Sequence, residues 1–322
     1  MANGIWTSRD SDKAQKLVLE KAYVTGSTRQ KPLYQEDFNV ITTDKRRSFA
    51  TFLPIAGLGT MQQKNEGAAP EYDTPTELIP YTATYATWAL GVKATEESEL
   101  EDPENISGKI PGMLAKSSRQ TIDLNVYATY NLAFDARVLG SDGQPLCSQV
   151  HPLGPIATPT GIQATWGTFS NSIGATALTP ESYEQMRILF RTMLDDHGMP
   201  DEYTPVKLVV PEQMEKVAKE ISGASNVPYS SDNTPNVNKG FSVHTVRYIS
   251  NPNCFFLQAA QGDPFSNDDC HKLFIAFKWR DRFKAWRDGE TDNYNQKTST
   301  RMTYGFGGWR GIVGSQGTTG NA

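Results

Sequence analysis

DGQPLCSQVHP, running from Asp142 to Pro152, places Cys147 and His151 four residues apart in a chain of 322 residues with only three cysteines and four histidines. The residues leave three readings open: a nucleophile with its base, half of a metal site, or a turn. A Cys–His catalytic pair needs the two groups apposed in space and a third group to orient the imidazole. A spacing of four in a Gly- and Pro-rich segment does not create that geometry. Zinc would need further ligands, and Cys254, Cys270 and His271 offer no CxxC or HxxxH spacing. Asp142-Gly143 is a turn signal, and Pro145 and Pro152 restrict the chain on either side. The stretch therefore reads best as a connection without chemistry, and no catalytic, cofactor-binding or metal-ligating residue is assigned.

The bulk properties point the same way. Apolar residues make up 38% of the chain and mean hydropathy is -0.51. Those values are low for one compact enzyme core of this length. They suit a flat protein with long arms, or one that buries surface only on assembly. Net charge is -5, so average charge gives no reason to expect nucleic-acid wrapping. No apolar run approaches the ~18 residues that a membrane helix needs. The opening MANGIWTSRD lacks the apolar segment of a secretory signal, and three scattered cysteines fit a reducing compartment.

Working outward along the chain, residues 1–48 are mixed polar, with KLVLEKAYV as the only short amphipathic stretch and a basic cluster at Lys45, Arg46 and Arg47. They read as an arm with too little apolar material for a core. Residues 49–95 are rich in Thr, Tyr, Gly and Pro, and alternate like a strand from Glu77 to Val92. This predicts a long hairpin whose polar tip is QQKNEGAAPEYD. The acidic run Glu96 to Glu104 reads as a solvated helix start. GMLAKSSRQTIDLNVYATYNLAF follows as a long helix, interrupted at most near Pro111.

Farther on, Thr179-Pro180-Glu181 predicts a capped helix, VKLVV a buried strand, and Pro211 the start of a second helix closed by Gly223. A long polar loop, GASNVPYSSDNTPNVNKG, precedes the strands FSVHTVRYI and CFFLQAA. HKLFIAFKW and KTSTRMTYGFGGWRGIVGS read as strands, with RDRFKAWRDGETDNYNQ as a polar, aromatic link between them. The glycines of GFGGWRG are not a phosphate loop, because no Lys-Ser/Thr and no helix follows; a bulged strand or turn fits better. The whole is mixed α+β, without an internal repeat.

The order of segments resembles tailed-bacteriophage major capsid proteins, especially those related to the Mu-like major head subunit. DGQPLCSQVHPLG is similar to that family's Asp-Gly-x-Pro-Leu-hydrophobe-Ser-x-x-His-Pro stretch, and TDNYNQKTSTRMTYGFGGWRGIVGSQG to its C-terminal pattern. VKLVVPEQMEKVAKEI, PNVNKGFSVHTVRYISNPNCFFLQA and ALGVKATEESELED resemble its strand–helix, loop–strand and strand–long-helix segments. The likeness covers about residues 50–318.

What the resemblance implies is an α+β Hong Kong 97-type phage capsid fold. Its parts would be an N-terminal arm (1–48), a β-hairpin E-loop (49–95), a spine helix of the peripheral (P) domain (96–139), an axial (A) domain (140–260), and P-domain strands with the C-terminal segment (261–322). The chain would self-assemble as hexamers and pentamers of an icosahedral virion shell enclosing double-stranded DNA, without enzymatic activity or cofactor. Subunit contacts are expected at Met61, Lys64, Asn65, Glu71 and Tyr72 of the E-loop and at Tyr229, Asp232, Asn236 and Lys239 of the A-domain loop. Lys45, Arg46, Arg47, Arg280 and Arg282 are candidates to face DNA or a partner through non-specific contacts. Portal, decoration and separate scaffolding proteins would be the other partners, with assembly in the host bacterial cytoplasm and no membrane. Met1 begins no charged helical extension of the kind that serves as scaffold in some relatives. Lys64 and Asn65 lie near the hairpin tip, but nothing in the sequence supplies the acidic partner of a lysine–asparagine cross-link. An encapsulin-like compartment shell is the alternative, with a Cys–His enzyme behind it.

Overall fold

The computed structural model describes residues 8–28, 31–42, 47–53, 58, 61–67, 69–74, 77, 79–102, 105–153, 167–195, 200–228, 234–263, 270–291 and 293–318. In chain order these form α1 (Ser8–Thr28), α2 (Tyr34–Asp37), β1 (Asn39–Thr42), β2 (Phe49–Phe52), β3 (Tyr81–Thr84), β4 (Ala86–Ala94), α3 (Glu96–Leu100) and α4 (Ile106–Asn131). Then come β5 (His151–Pro152), β6 (Thr168–Phe169), α5 (Pro180–Arg191), β7 (Pro205–Pro211) and, after one 3-10 turn, α6 (Glu215–Gly223). The chain closes with β8 (Ser242–Val246), β9 (Phe255–Ala259), β10 (Leu273–Arg287), β11 (Tyr294–Phe306) and β12 (Ile312–Ser315).

The expected long helix is α4, and Pro111 lies inside it. Proline removes the amide that would bond the carbonyl four residues back. That carbonyl, Ser107 O, instead accepts the side-chain amide of Gln296 at 3.3 Å. The helix passes through the proline because a strand residue satisfies what the proline leaves open. Gly112 follows it, and a side chain at Gly26 of α1 would stand 3.0 Å from the Gly112 Cα. Two glycines thus let α1 and α4 cross closely.

Two four-stranded sheets organise the rest. The first has the order β1-β10-β11-β4, with β1 parallel to β10 and the other pairs antiparallel. The second has the order β12-β9-β7-β8, with only β7 and β8 parallel. Along β11 the buried residues alternate, with Tyr294, Gln296, Thr298, Thr300 and Met302 facing the helices. The α5 cap is as the sequence predicts: Thr179 Oγ1 accepts the Ser182 amide, and Ser182 Oγ accepts the Thr179 amide in return.

Two readings need correction. Residues 1–48 are not an arm throughout. α1 is a 21-residue helix that turns Leu19 and Tyr23 inward, and α2 and β1 belong to the centre of the molecule. Few apolar side chains are involved, but Tyr34 and Phe38 are fully buried beside Tyr127 and Tyr130 of α4. Secondly, RDRFKAWR is no link, since β10 continues through it to Arg287. Arg282 and Lys284 lie on the outer face while Phe283 and Ala285 pack inward against Leu19. A shift in register between Phe277 and Arg282, with Asp281 at φ 51, re-aims the strand there.

The centre is polar as well as apolar. Asp37, with no solvent exposure, accepts Tyr127 Oη at 2.6 Å, His244 Nδ1 at 2.7 Å and Lys207 Nζ at 3.1 Å. Gln258 Nε2 bonds its carbonyl at 2.7 Å. Burial opposes ionisation of Asp37. His244, Lys207 and the Tyr127 hydroxyl outweigh it and hold the carboxyl below its ordinary range. A depressed folded-state pKa contributes stability above about pH 4 that is lost as the pH falls through the folded value. Removing one member of such a buried set strands the others. Asp37→Ala is therefore expected to cost about 3–5 kcal/mol in urea unfolding. His271, buried at the start of β10, has its pKa pushed down to about 3, by burial first and then by Lys207. The unfolded chain takes up that proton near pH 6.5, so stability should decline from about pH 6.5 downward. His271→Gln should flatten that decline, measured as the urea midpoint against pH.

Candidate functional site

The hook at 140–153 joins the end of α4 to the second sheet. The Cys147 amide bonds Ala133 O at 2.7 Å, and the Gly140 amide bonds Gln144 O at 2.8 Å. Gly143 takes a φ of 73°, and the Gln144 amide bonds Asp142 Oδ1 at 3.1 Å, so the Asp-Gly turn forms as predicted. His151 is fully buried, with Nδ1 2.6 Å from Asp142 Oδ2 and Nε2 3.0 Å from Asn171 Oδ1. Asn171 is fixed in turn, because its amide nitrogen donates to Leu146 O and Ile312 O. The imidazole also stacks on Trp309 with centroids 4.5 Å apart.

Asp142 and His151 thus look like two members of a catalytic triad, yet the other ring nitrogen, Nε2, faces Asn171 and no nucleophile. Cys147 is buried, and burial pushes its thiol far above the ordinary range. A Cβ on Gly314 would stand only 2.7 Å from its sulfur, which shows how closely the C-terminal strand covers it. Among the described residues no cluster of three or more His, Cys, Asp or Glu is placed to hold a metal. The hook is a clasp that ties the spine helix to the last strand. Thiol reagents should therefore modify Cys147 only at the rate of unfolding. His151→Ala, which removes the partner of Asp142 Oδ2, should lower stability by about 1–3 kcal/mol and accelerate that labelling.

The hairpin is the opposite case. At its root β2 lies antiparallel to β3, and the chain then runs on as β4 into the first sheet. Beyond the root Met61, Lys64, Asn65, Glu71 and Tyr72 are all exposed, Met61 completely and Tyr72 to 86%. Leu53, Leu58 and Ile79 add further uncovered apolar surface along its length. The root is seated in a notch cut by the GFGG glycines. A Cβ on Gly305 would meet the Tyr81 hydroxyl at 2.6 Å, and one on Gly307 would meet the Phe52 ring at 2.5 Å. Tyr81 packs against Phe306 and Phe274 in that notch. These glycines receive aromatic rings, not phosphate.

The other flagged residues divide. Tyr229, Asp232, Lys45 and Arg46 lie outside the described residues. Lys239 is exposed, but Asn236 is only 4% exposed. Its amide nitrogen donates to Ile221 O at 2.7 Å and Ala224 O at 3.1 Å, which closes the end of α6. Asn236 is an internal strut, not a contact residue. A polar side chain inside a polar loop gave no sequence signal of that burial. Arg47, Arg280 and Arg282 are exposed. Arg280 pairs with Asp281 and lies over Tyr34, while Arg282 lies over Trp279. Lys16 and Lys297, which sequence reading passed over, line one cleft with Lys284 and Trp286. Helix packing brings Lys16 there, and strand register sets Lys297 opposite Lys284.

Compared with known families, residues 80–315 match the profile of the phage capsid protein family. The chain belongs to that family. It is a phage major capsid protein, and its α+β fold is the Hong Kong 97 type. Among solved structures, the procapsid of bacteriophage JBD30 is 13% identical, covering 97% of this chain and 76% of that one with a TM-score of 0.51. The capsid of the native GTA particle is 12% identical, covering 89% and 90% with a TM-score of 0.55. That of Mycobacterium phage Adephagia is 10% identical, covering 91% and 92% with a TM-score of 0.54. At these identities the likeness is one of fold. No curated protein matches the capsid chain.

Proposed function

We propose that this capsid protein forms the icosahedral head shell of a tailed phage as hexamers and pentamers around packaged double-stranded DNA. Residues 49–95 act as the E-loop, which lies across a neighbouring subunit, and residues 140–260 act as the axial domain. The observation that carries this reading is the hairpin. It has a root locked by Tyr81 and Phe52 and a shaft whose Leu53, Leu58, Met61, Tyr72 and Ile79 are left in solvent. A four-residue ladder gives the projecting residues no core of their own, and an isolated hairpin is marginal in water. A neighbouring copy supplies the missing layer.

No catalytic step is assigned to the chain. A portal, a separate scaffold and surface decoration are its expected partners. One relative, the capsid of JBD30, is described as decorated with minor capsid protein trimers, which supports the last of these. The test is electron microscopy and sedimentation of the purified protein, alone and with its neighbouring assembly genes co-expressed. Shells, tubes or hexameric rings are expected, whereas a strict monomer at high concentration would oppose the reading. Replacing residues 54–79 by a short turn should leave a folded subunit with its thermal midpoint little changed, yet abolish those assemblies.

A further inference from the structure

Beyond Phe277 the outer edge of β10 has no strand beside it among the described residues, because β1 pairs only with Phe274 to Phe277. A cleft of about 560 Å³ runs between this edge and α1, lined by Lys16, Lys284, Lys297 and Trp286, with Glu20 the only acid among the described residues that line it. Lys284 and Lys297 stand directly opposite each other in the β10–β11 register. Like charges in that position are destabilising. Neither has an ion-pair partner among the described residues, and Lys297 rests over the ring of Trp286, which is 43% exposed. Among the described residues the cleft thus sets three lysines and a part-exposed indole against one glutamate.

The opposite edge of the same sheet is acidic. β4 runs into α3, where Glu97 and Glu101 are exposed and Glu96 already pairs with Arg287. Between α3 and the start of α4 lies a second hollow of about 220 Å³, lined by Ser98, Glu101, Asp102 and Ser107. Asp102 Oδ2 caps α4 through the Ser107 amide at 2.8 Å, while its Oδ1 is buried without a partner. An unpaired buried carboxylate oxygen is costly and calls for a donor. β10 and β4 flank β11 on its two sides, so the cleft and the acidic hollow belong to different elements of one sheet and its helices.

We infer that the Lys16–Lys284–Lys297 cleft of one subunit receives the acidic Glu97–Asp102 edge of a second copy, in a head-to-tail contact between shell subunits. This inference rests on the shell-forming reading and adds a specific electrostatic docking surface to it. Two different patches meeting head to tail generate a ring when the rotation closes. The occupant is a second copy because the complementary charge stands on this same chain, in the acidic segment Glu97–Asp102 that follows β4. Such a contact fixes register and weakens as salt screens it.

The test is charge exchange in the full chain, scored by sedimentation and electron microscopy. Lys284→Glu with Lys297→Glu, and separately Glu97→Lys with Glu101→Lys, should each lower the assembled fraction about tenfold or more. The fourfold variant should recover it. If the wild type assembles and both double variants do too, the inference falls while the shell-forming reading stands. A wild type that never assembles sinks both. Folded double variants that fail to assemble and are not restored by the fourfold exchange also overturn it. If the lysine variant has instead lost binding to a DNA duplex, the cleft serves a polyanion. Should a reversal unfold the chain, Lys284→Gln with Lys297→Gln replaces it. Assembly with unchanged salt dependence in that variant would overturn the contact.

Discussion

Asp37 is the junction on which the subunit depends. It sits at the end of a four-residue helix in the N-terminal segment, yet its partners come from three other places: Tyr127 on the spine helix α4, Lys207 on β7 and His244 on β8. A carboxylate with no exposure is tolerable only when such donors surround it. Once they do, the N-terminal segment, the spine helix and the second sheet cannot shift independently. The clasp of Asp142, His151 and Asn171 does the same just past the C-terminal end of α4, joining that connection to the C-terminal strand. Both devices use histidine and carboxylate together, and in both the geometry serves attachment.

The contrast between the interior and the projections gives the subunit its character. Inside, Asp37 and His151 are each held by several partners and the aromatic side chains interlock. Outside, a hairpin with Met61 and Tyr72 in solvent, the bare outer edge of β10 and the acidic turn of α3 are each left incomplete. Low mean hydropathy follows from this division, since a chain that keeps surface for its neighbours has less need of apolar residues in its own core. Family membership accounts for why such incompleteness persists.

Much of the fold was legible because local chemistry and global structure agree. Thr179-Pro180 forms the cap that its residue types require, Asp142-Gly143 turns, and the alternation before Val92 becomes β3 and β4. Three features were hidden for physical reasons. Residues 31–42 are mostly polar, so the two rings that enter the core, Tyr34 and Phe38, carried too little pattern to mark it. The distal half of β10 is a one-sided strand whose outward Arg282, Lys284 and Trp286 masked the inward Phe283 and Ala285. Asn236 is buried to satisfy carbonyls at the end of α6, a role set by the loop's path and not by its composition. Of the site, the hairpin could be read from sequence. The cationic cleft could not, because Lys16, Lys284 and Lys297 are neighbours only through helix packing and strand register.

The central claim is that residues 61–74 are completed by another copy of the chain. Hydrogen exchange on the isolated subunit and on assembled particles, compared amide by amide, tests it most directly. Rapid exchange through 61–74 in the free subunit and strong protection in the particle, with the amides of α4 slow in both, is the predicted result. Equal exchange across 61–74 in the two states would contradict it.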